Sequence, residues 1–276
     1  MSDHRTHHVT TSDGVTIGAT VHGEGPPLVF LQGIIGDGDL DWRVVLPHLT
    51  DRFTCHLPSM RGRGLSGDHP DLGFARQTDD ILAYVGSLGR PTGLVGWSGG
   101  GAMALAVAAR SGAVHAVATV EPGMLSLADE QEKAALGAAV ARTGELAADG
   151  RLSAASRAFA GWPFNEEELA MAAAAGYFEG AGRYAPNLLD LLRQLMQDGP
   201  TVDDPAVLGA ITAPVLVLQG SDTKRFFRAS AGHVTEHVPD ARRHEIPGAA
   251  HASPLTHPEV LAEALTGFFA AARQPA

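Results

Sequence analysis

Short apolar runs bounded by turn residues recur along the chain at Leu28 to Leu31, Phe53 to Leu57, Gly93 to Val95, Val114 to Val120 and Pro214 to Leu218. A strand with one wet face alternates apolar and polar residues. Continuous apolar runs of this length fit strands buried on both faces, as in a parallel sheet covered by helices. The spacers support this: in Phe74 to Leu88, Ile81, Leu82, Val85 and Leu88 follow three- and four-residue spacing, while Arg76, Asp79 and Asp80 fall on the other face. Gly99 to Arg110 is a second helical segment, rich in Gly and Ala at its start, and so suited to close packing on a sheet. Strand and helix in alternation imply right-handed crossovers and an α/β fold with a mostly parallel central sheet flanked by helices. Before this pattern begins, Thr6 to Thr11 and Val15 to Val21 read as a hairpin turned at Asp13-Gly14.

The alternation lapses from about Leu125 to Val207, which holds no convincing strand and is rich in Ala. Helix-start signals occur at Ser126 with Asp129 and at Asn165 with Glu168. The expected organisation is therefore a core from 1–124 and 208–276 with a helical insertion at 125–207, and 276 residues suffice to bury it. The aromatics Phe159, Trp162, Phe164, Tyr177, Phe178 and Tyr184 either face a substrate cavity or form the insertion's own core. Arg273 to Ala276 read as disordered.

Composition narrows the function. A net charge of -11 argues against binding phosphate backbones, so nucleic acid is not an expected partner. The single cysteine, Cys55, permits no intramolecular disulfide and reads as a small buried strand residue. The polar N-terminus lacks a secretory pattern, and no run of about 18 apolar residues would span a bilayer. A cytoplasmic chain with no membrane partner is the expectation. No pair among the 13 histidines shows metal-ligand spacing with carboxylates, so neither metal nor cofactor is expected.

The chemistry concentrates at Gly96-Trp97-Ser98-Gly99-Gly100, a G-x-S-x-G directly after Leu94-Val95 and directly before a helical segment. A serine hydroxyl becomes a useful nucleophile when it is exposed, near a base and near donors that can hold an oxyanion. A strained strand-to-helix turn gives that exposure, and Gly96 and Gly100 let neighbouring backbone pass closely. Three further segments fall in order: Leu31-Gln32-Gly33-Ile34, the loop Pro58 to Ser66, and Pro247-Gly248-Ala249-Ala250-His251. With these motifs the sequence resembles the α/β-hydrolase superfamily of serine hydrolases over nearly its whole length.

The resemblance implies the α/β-hydrolase fold, with residues 125–207 as a helical cap. It also implies Ser98 as nucleophile, His251 as base, and an oxyanion hole from the Gly33-Ile34 loop and Gly99, through the backbone N–H groups of Ile34 and Gly99. Neutral imidazole suits the role, and His251 lies between the extended run Arg242 to Ile246 and the helix Pro258 to Phe269. Two carboxylates compete for the third place. Many relatives carry an Asp three residues past the glycine ending the strand after the insertion; here that position is Thr223, and Asp222 is one short. Glu121 ends Val114 to Val120, where some relatives place their acid, and the loop Gly220 to Phe227 is similar to that of this branch, which includes zearalenone-type lactonases. This favours Glu121 and leaves Asp222 as the alternative. Gln32 stands where most relatives have His, and Ser59 where Asp is frequent; Arg61 and Arg63 either meet an anionic substrate or serve structure. The implied activity is hydrolysis of a small-molecule carboxylic ester or lactone. The alternatives are a same-fold carbon-carbon bond hydrolase, thioesterase or acyltransferase, or a non-catalytic binding member. Oligomeric state is not readable.

Overall fold

The computed structural model describes residues 5–198 and 202–272. Arg273 to Ala276, expected to be disordered, lie outside the described residues. Eight strands form one sheet: β1 (Arg5–Thr10), β2 (Thr16–His22), β3 (Pro27–Leu31), β4 (Thr54–Pro58), β5 (Thr92–Trp97), β6 (Val114–Val120), β7 (Val215–Gly220) and β8 (Ala241–Ile246). Their order is β1-β2-β4-β3-β5-β6-β7-β8, and only β2 runs against the rest. The expected strands sit within a residue or two of these bounds. Successive side chains of a strand point to opposite faces. Accordingly Phe30, Val95, Trp97, Ala118 and Leu218 join one apolar cluster, while Val29, Leu31, Leu94, Val117 and Val217 join another across the sheet.

Helix α1 (Gly38–Trp42) follows β3, α2 (Phe74–Ser87) follows β4, and α3 (Gly99–Ala108) follows β5. From Gly100 to Ala108, α3 is buried throughout, because it lies between the sheet and α2. An all-round apolar sequence suits that place. From β3 the chain proceeds to β4 on one side, whereas β5 leads to β6 on the other, so the loops after β3 and β5 diverge. A crevice at the carboxyl ends of the strands results, the usual ligand position in open α/β sheets.

Between β6 and β7 lie α4 (Glu130–Ala148), α5 (Leu152–Ala160), α6 (Glu166–Ala174), α7 (Tyr177–Gly182), α8 (Ala185–Asp198) and α9 (Pro205–Gly209), with no strand among the described residues. The capping box expected at Asn165 is present: its side chain accepts from Glu168 N, and Glu168 accepts from Asn165 N. The start expected at Ser126 falls three residues later. Ser126 lies in a 3₁₀ turn, and it is Asp129 whose carboxylate caps α4 by accepting from Glu132 N. The boundary expected between 207 and 208 is crossed by α9, which Asp204 caps and Pro205 opens, and which packs on α3 and α10 (Arg225–His237). Because α10 begins at Arg225, the loop read as Gly220 to Phe227 ends three residues sooner. After β8 come α11 (Ser253–Thr256) and α12 (Pro258–Ala271). Helix α6 packs on α11, and α7 on α1, which brings the inter-strand helices over the crevice. No helix among the described residues is long and apolar enough to cross a membrane.

Candidate active site

Ser98 caps the start of α3 with φ 55° and ψ −118°. A non-glycine residue rarely adopts a positive φ, and holding it there costs about 1–3 kcal/mol. Among the described residues only Ser98 and Glu121, with φ 46°, do so. The turn is possible because its flanks lack side chains: a Cβ on Gly96 would strike the Gly100 carbonyl, and one on Gly100 would strike the Gln32 carbonyl. Ser98 N donates to Val120 O across the sheet at 2.9 Å, and Gly123 N donates to Ser98 O at 3.0 Å.

Glu121 lies beyond the end of β6 and is fully buried. Its Oε1 accepts from Gly220 N at 2.9 Å; its Oε2 accepts from Thr223 Oγ1 at 2.7 Å and contacts His251 Nδ1 at 3.0 Å. A carboxylate only accepts, so Nδ1 carries the proton and Nε2 is the basic nitrogen. Asp222 is elsewhere: it is exposed, accepts from Ser221 Oγ at 2.9 Å, and no hydrogen bond or ion pair links it to His251. The imidazole is gripped on several sides. Phe227 stacks on it at 3.8 Å and 19°, and Trp97 Nε1 donates to the His251 carbonyl at 2.8 Å. Ser98 and His251 line one pocket, and no hydrogen bond joins them. Such contacts are commonly long before substrate arrives.

The loop after β3 completes the site. Among the described residues no hydrogen bond engages the amides of Ile34 or Gly99. Gly33, in the same loop, donates its own amide to Asp41 Oδ2 at 2.7 Å, a bond that fixes the loop carrying the Ile34 amide. Over residues 26–258 the chain matches the family model described as alpha/beta hydrolase fold. The chain belongs to the α/β-hydrolase family. It is 26% identical over 273 residues to 2-(acetamidomethylene)succinate hydrolase of Mesorhizobium japonicum, covering 97% of this chain and 96% of that one. An alpha/beta hydrolase from Sphaerobacter thermophilus superposes with TM-score 0.76 at 25% identity, over 95% of this chain and all of the other (100%). A thermophilic esterase from Thermogutta terrifontis shares the fold, with TM-score 0.77 at 20% identity over 98% and 100% of the chains.

The pocket that Ser98 and His251 line is walled by four of the six aromatics singled out in the sequence, Phe159, Trp162, Phe164 and Tyr177. Phe178 packs under Arg157, and Tyr184 donates to Asp37 Oδ2 at 2.6 Å, so these two build structure. Arg61 and Arg63 are structural too. Arg61 is buried between Asp80, at 2.5 Å, and Asp13, at 2.8 Å. Arg63 Nη1 donates to the carbonyls of Ile34 and Gly36 at 2.7 and 2.8 Å, so a buried cation fixes the loop that carries the Ile34 amide. Gln32 adds to this through a 2.6 Å bond to Gly36 O, and Ser59 Oγ accepts from Gly38 N at 3.2 Å. Both departures from the family pattern thus have local partners.

Four contributors were not visible in the sequence. Thr223 and Phe227 hold Glu121 and His251. Glu168 Oε1 accepts from Ala252 N at 2.5 Å, pinning the histidine loop to α6, and burial raises its carboxyl above the ordinary value. Asp41 takes both the Gly33 amide and the Tyr177 hydroxyl, the latter at 2.8 Å, and burial pushes it up to about 8. Only the position of Thr223, where many relatives carry an acid, offered a signal. Cys55 is buried in β4, and burial pushes its thiol up to about 12, which makes it unreactive. Among the described residues no group of three or more His, Cys, Asp or Glu could share a metal ion.

Proposed function

We propose that the chain is a serine-dependent hydrolase that cleaves a neutral carboxylic ester or lactone through an acyl-enzyme, with residues 125–207 acting as a cap over the site. The observation that carries the reading is the 3.0 Å contact of Glu121 with His251 Nδ1, in a pocket that Ser98 shares. Ser98 Oγ attacks the carbonyl carbon and its proton passes to His251 Nε2. The carbonyl oxygen becomes an oxyanion, held by the amides of Ile34 and Gly99. As it re-forms the carbonyl, the bond to the alkoxy oxygen breaks and that oxygen takes the proton from His251. Water then attacks the acyl-enzyme, loses a proton to His251, and releases the acid while Ser98 regains its hydrogen. Glu121 holds the ring in the correct tautomer and balances its transient charge.

Neutrality of the substrate is argued from the walls. Apart from His251, none of the described residues lining the Ser98 pocket is basic. The compound in the Mesorhizobium relative's name is a dicarboxylate, which such a wall would leave without a counter-charge. The test is labelling with a fluorophosphonate probe alongside a panel of p-nitrophenyl esters, aromatic lactones and a succinyl ester. Label and turnover that vanish in Ser98→Ala are expected, with neutral esters preferred. Equal labelling of Ser98→Ala, or a preference for the charged ester, would refute the assignment.

A further inference from the structure

Strand β8 forms one edge of the sheet: β7 lies on one flank and no strand among the described residues on the other. It pairs with β7 in unbroken register from Ala241 to Ile246 and holds no proline. A regular edge of this kind presents a row of free N–H and C=O groups that another strand can bond. The ladder shows which groups these are. Val215 N donates to Asp240 O at 2.8 Å, and Ser221 N donates to Ile246 O at 3.1 Å. Backbone groups alternate in direction along a strand, so Arg242 and His244 also face β7, while Ala241, Arg243 and Glu245 turn their amides and carbonyls outward.

From Arg242 to Glu245 every residue is exposed, so the flanking helices leave this edge uncovered. Arg243 and Glu245, two positions apart, point to the same face of the sheet. Among the described residues neither side chain has a hydrogen bond or an ion pair.

Charges on an edge ordinarily repel an incoming strand. Here the result depends on register. A second copy of this chain that pairs antiparallel is related by a two-fold axis normal to the sheet, and the axis passes through a residue that faces its own copy. An axis at Arg242, Arg243 or Glu245 sets that charge against itself. An axis at His244 sets Arg243 opposite the second copy's Glu245, and Glu245 opposite its Arg243. These two residues carry outward backbone groups, so each such pair exchanges both N–H···O bonds of an antiparallel ladder. Ala241 N adds a bond to the carbonyl of Pro247, which has no N–H to return, and the ladder ends there.

We propose that the free edge of β8 is a dimer interface, at which two copies of the chain join antiparallel about His244 and their sheets become one. The backbone bonds hold the copies together, and the reciprocal Arg243–Glu245 pairs select the partner and the register.

Sedimentation velocity over a concentration series up to about 100 μM tests the assembly. The wild type is expected to dimerise. Arg243→Glu and Glu245→Arg each place like charges opposite one another and should raise the dimer Kd roughly tenfold or more. Mixed in equal amounts, these two variants should form a heterodimer. The double variant Arg243→Glu/Glu245→Arg should dimerise as the wild type does, since opposite charges face again. Far-UV circular dichroism confirms that each exposed-site variant is folded. His244→Cys reads the register: at the axis the Cα atoms lie about 4.5 Å apart, within disulfide reach, so mild oxidation should give a covalent dimer. Arg242→Cys should give none, because the same register keeps its two copies apart, and the native Cys55 is buried. A wild type that stays monomeric at every concentration overturns the proposal. So does a dimer that both single variants leave unchanged, a double variant that does not restore it, or a dimer in which His244→Cys does not cross-link.

Discussion

Ser98 and Glu121 are held in the left-handed region of backbone space, where only glycine is at ease, and they adjoin the same imidazole pocket. Such strain persists where the surroundings over-determine the conformation. For Glu121 they do: Gly220 N, Thr223 Oγ1 and His251 Nδ1 occupy its two oxygens. Glu121→Gln is expected to lower kcat by roughly 10⁴-fold, the scale of neutralising the acid of such a constellation. Asp222→Asn should change it less than about twofold, because that side chain is exposed and bonded only to its neighbour. Steady-state kinetics on the best ester decides, and the reverse ranking would move the role to Asp222. Thr223 acts through Glu121 as a positioning residue. Thr223→Val should lower kcat by about tenfold with KM nearly unchanged, and Thr223→Ser should restore most of it, since only the hydroxyl is needed. Loss in both variants would indicate packing instead. At this scale the sequence exposed Ser98 and His251 because local order around them is distinctive. It left the acid open because two loop ends far apart in the chain compete for one ring nitrogen, and only the path of the backbone brings one of them, Glu121, within reach of it.

Helix α6 shows how one element can serve two others. Its capping box closes its own first turn, and the same Glu168 reaches the amide of Ala252, next to His251. Asn165→Ala should cost about 1 kcal/mol, as for an ordinary helix cap. Glu168→Ala should cost more, by about 1–3 kcal/mol, because it also strands the Ala252 amide inside the protein. Both changes break the same box, so the double variant should fall short of the sum. Denaturant midpoints measure all three; strict additivity would show that the two bonds of the box stabilise the protein independently. The box itself was legible, as Asn165 followed three residues later by Glu168 before an apolar stretch. Its second task was not, since the partner lies 84 positions away and no periodicity reports it. The start of α4 was misplaced for a related reason. Ser126 and Asp129 both carry capping chemistry, and Ser126 is drawn instead to Asp203 near the end of the same long segment.

Across the whole molecule, the sheet was readable because strands buried on both faces leave unbroken apolar runs, whereas the docking of the inter-strand helices rests on single polar contacts between distant segments. Asp41 is the sharpest case: it ties α1, the loop after β3 at Gly33 and Tyr177 of α7 at one buried point. Tyr177 there is itself held well above its ordinary range, first by burial, and Arg63 in the same cluster is lowered to about 10 by burial. With Asp41 pushed up to about 8 from an ordinary 3.8, the folded protein keeps its proton across an interval in which the unfolded chain has lost it. The native state then binds more protons than the unfolded one, so stability is greatest below the unfolded value and falls as pH rises toward 8. Asp41→Asn does not titrate, and it can still accept from Gly33 N through Oδ1 and donate to Tyr177 Oη through Nδ2. Relative to the wild type, this variant should therefore gain stability between pH 5 and 8, by up to about 1.4 kcal/mol per pH unit. Urea unfolding at several pH values reads the difference directly. Parallel curves would mean that Asp41 is ionised in the folded protein, with Arg63 and the Gly33 amide together sustaining a buried carboxylate.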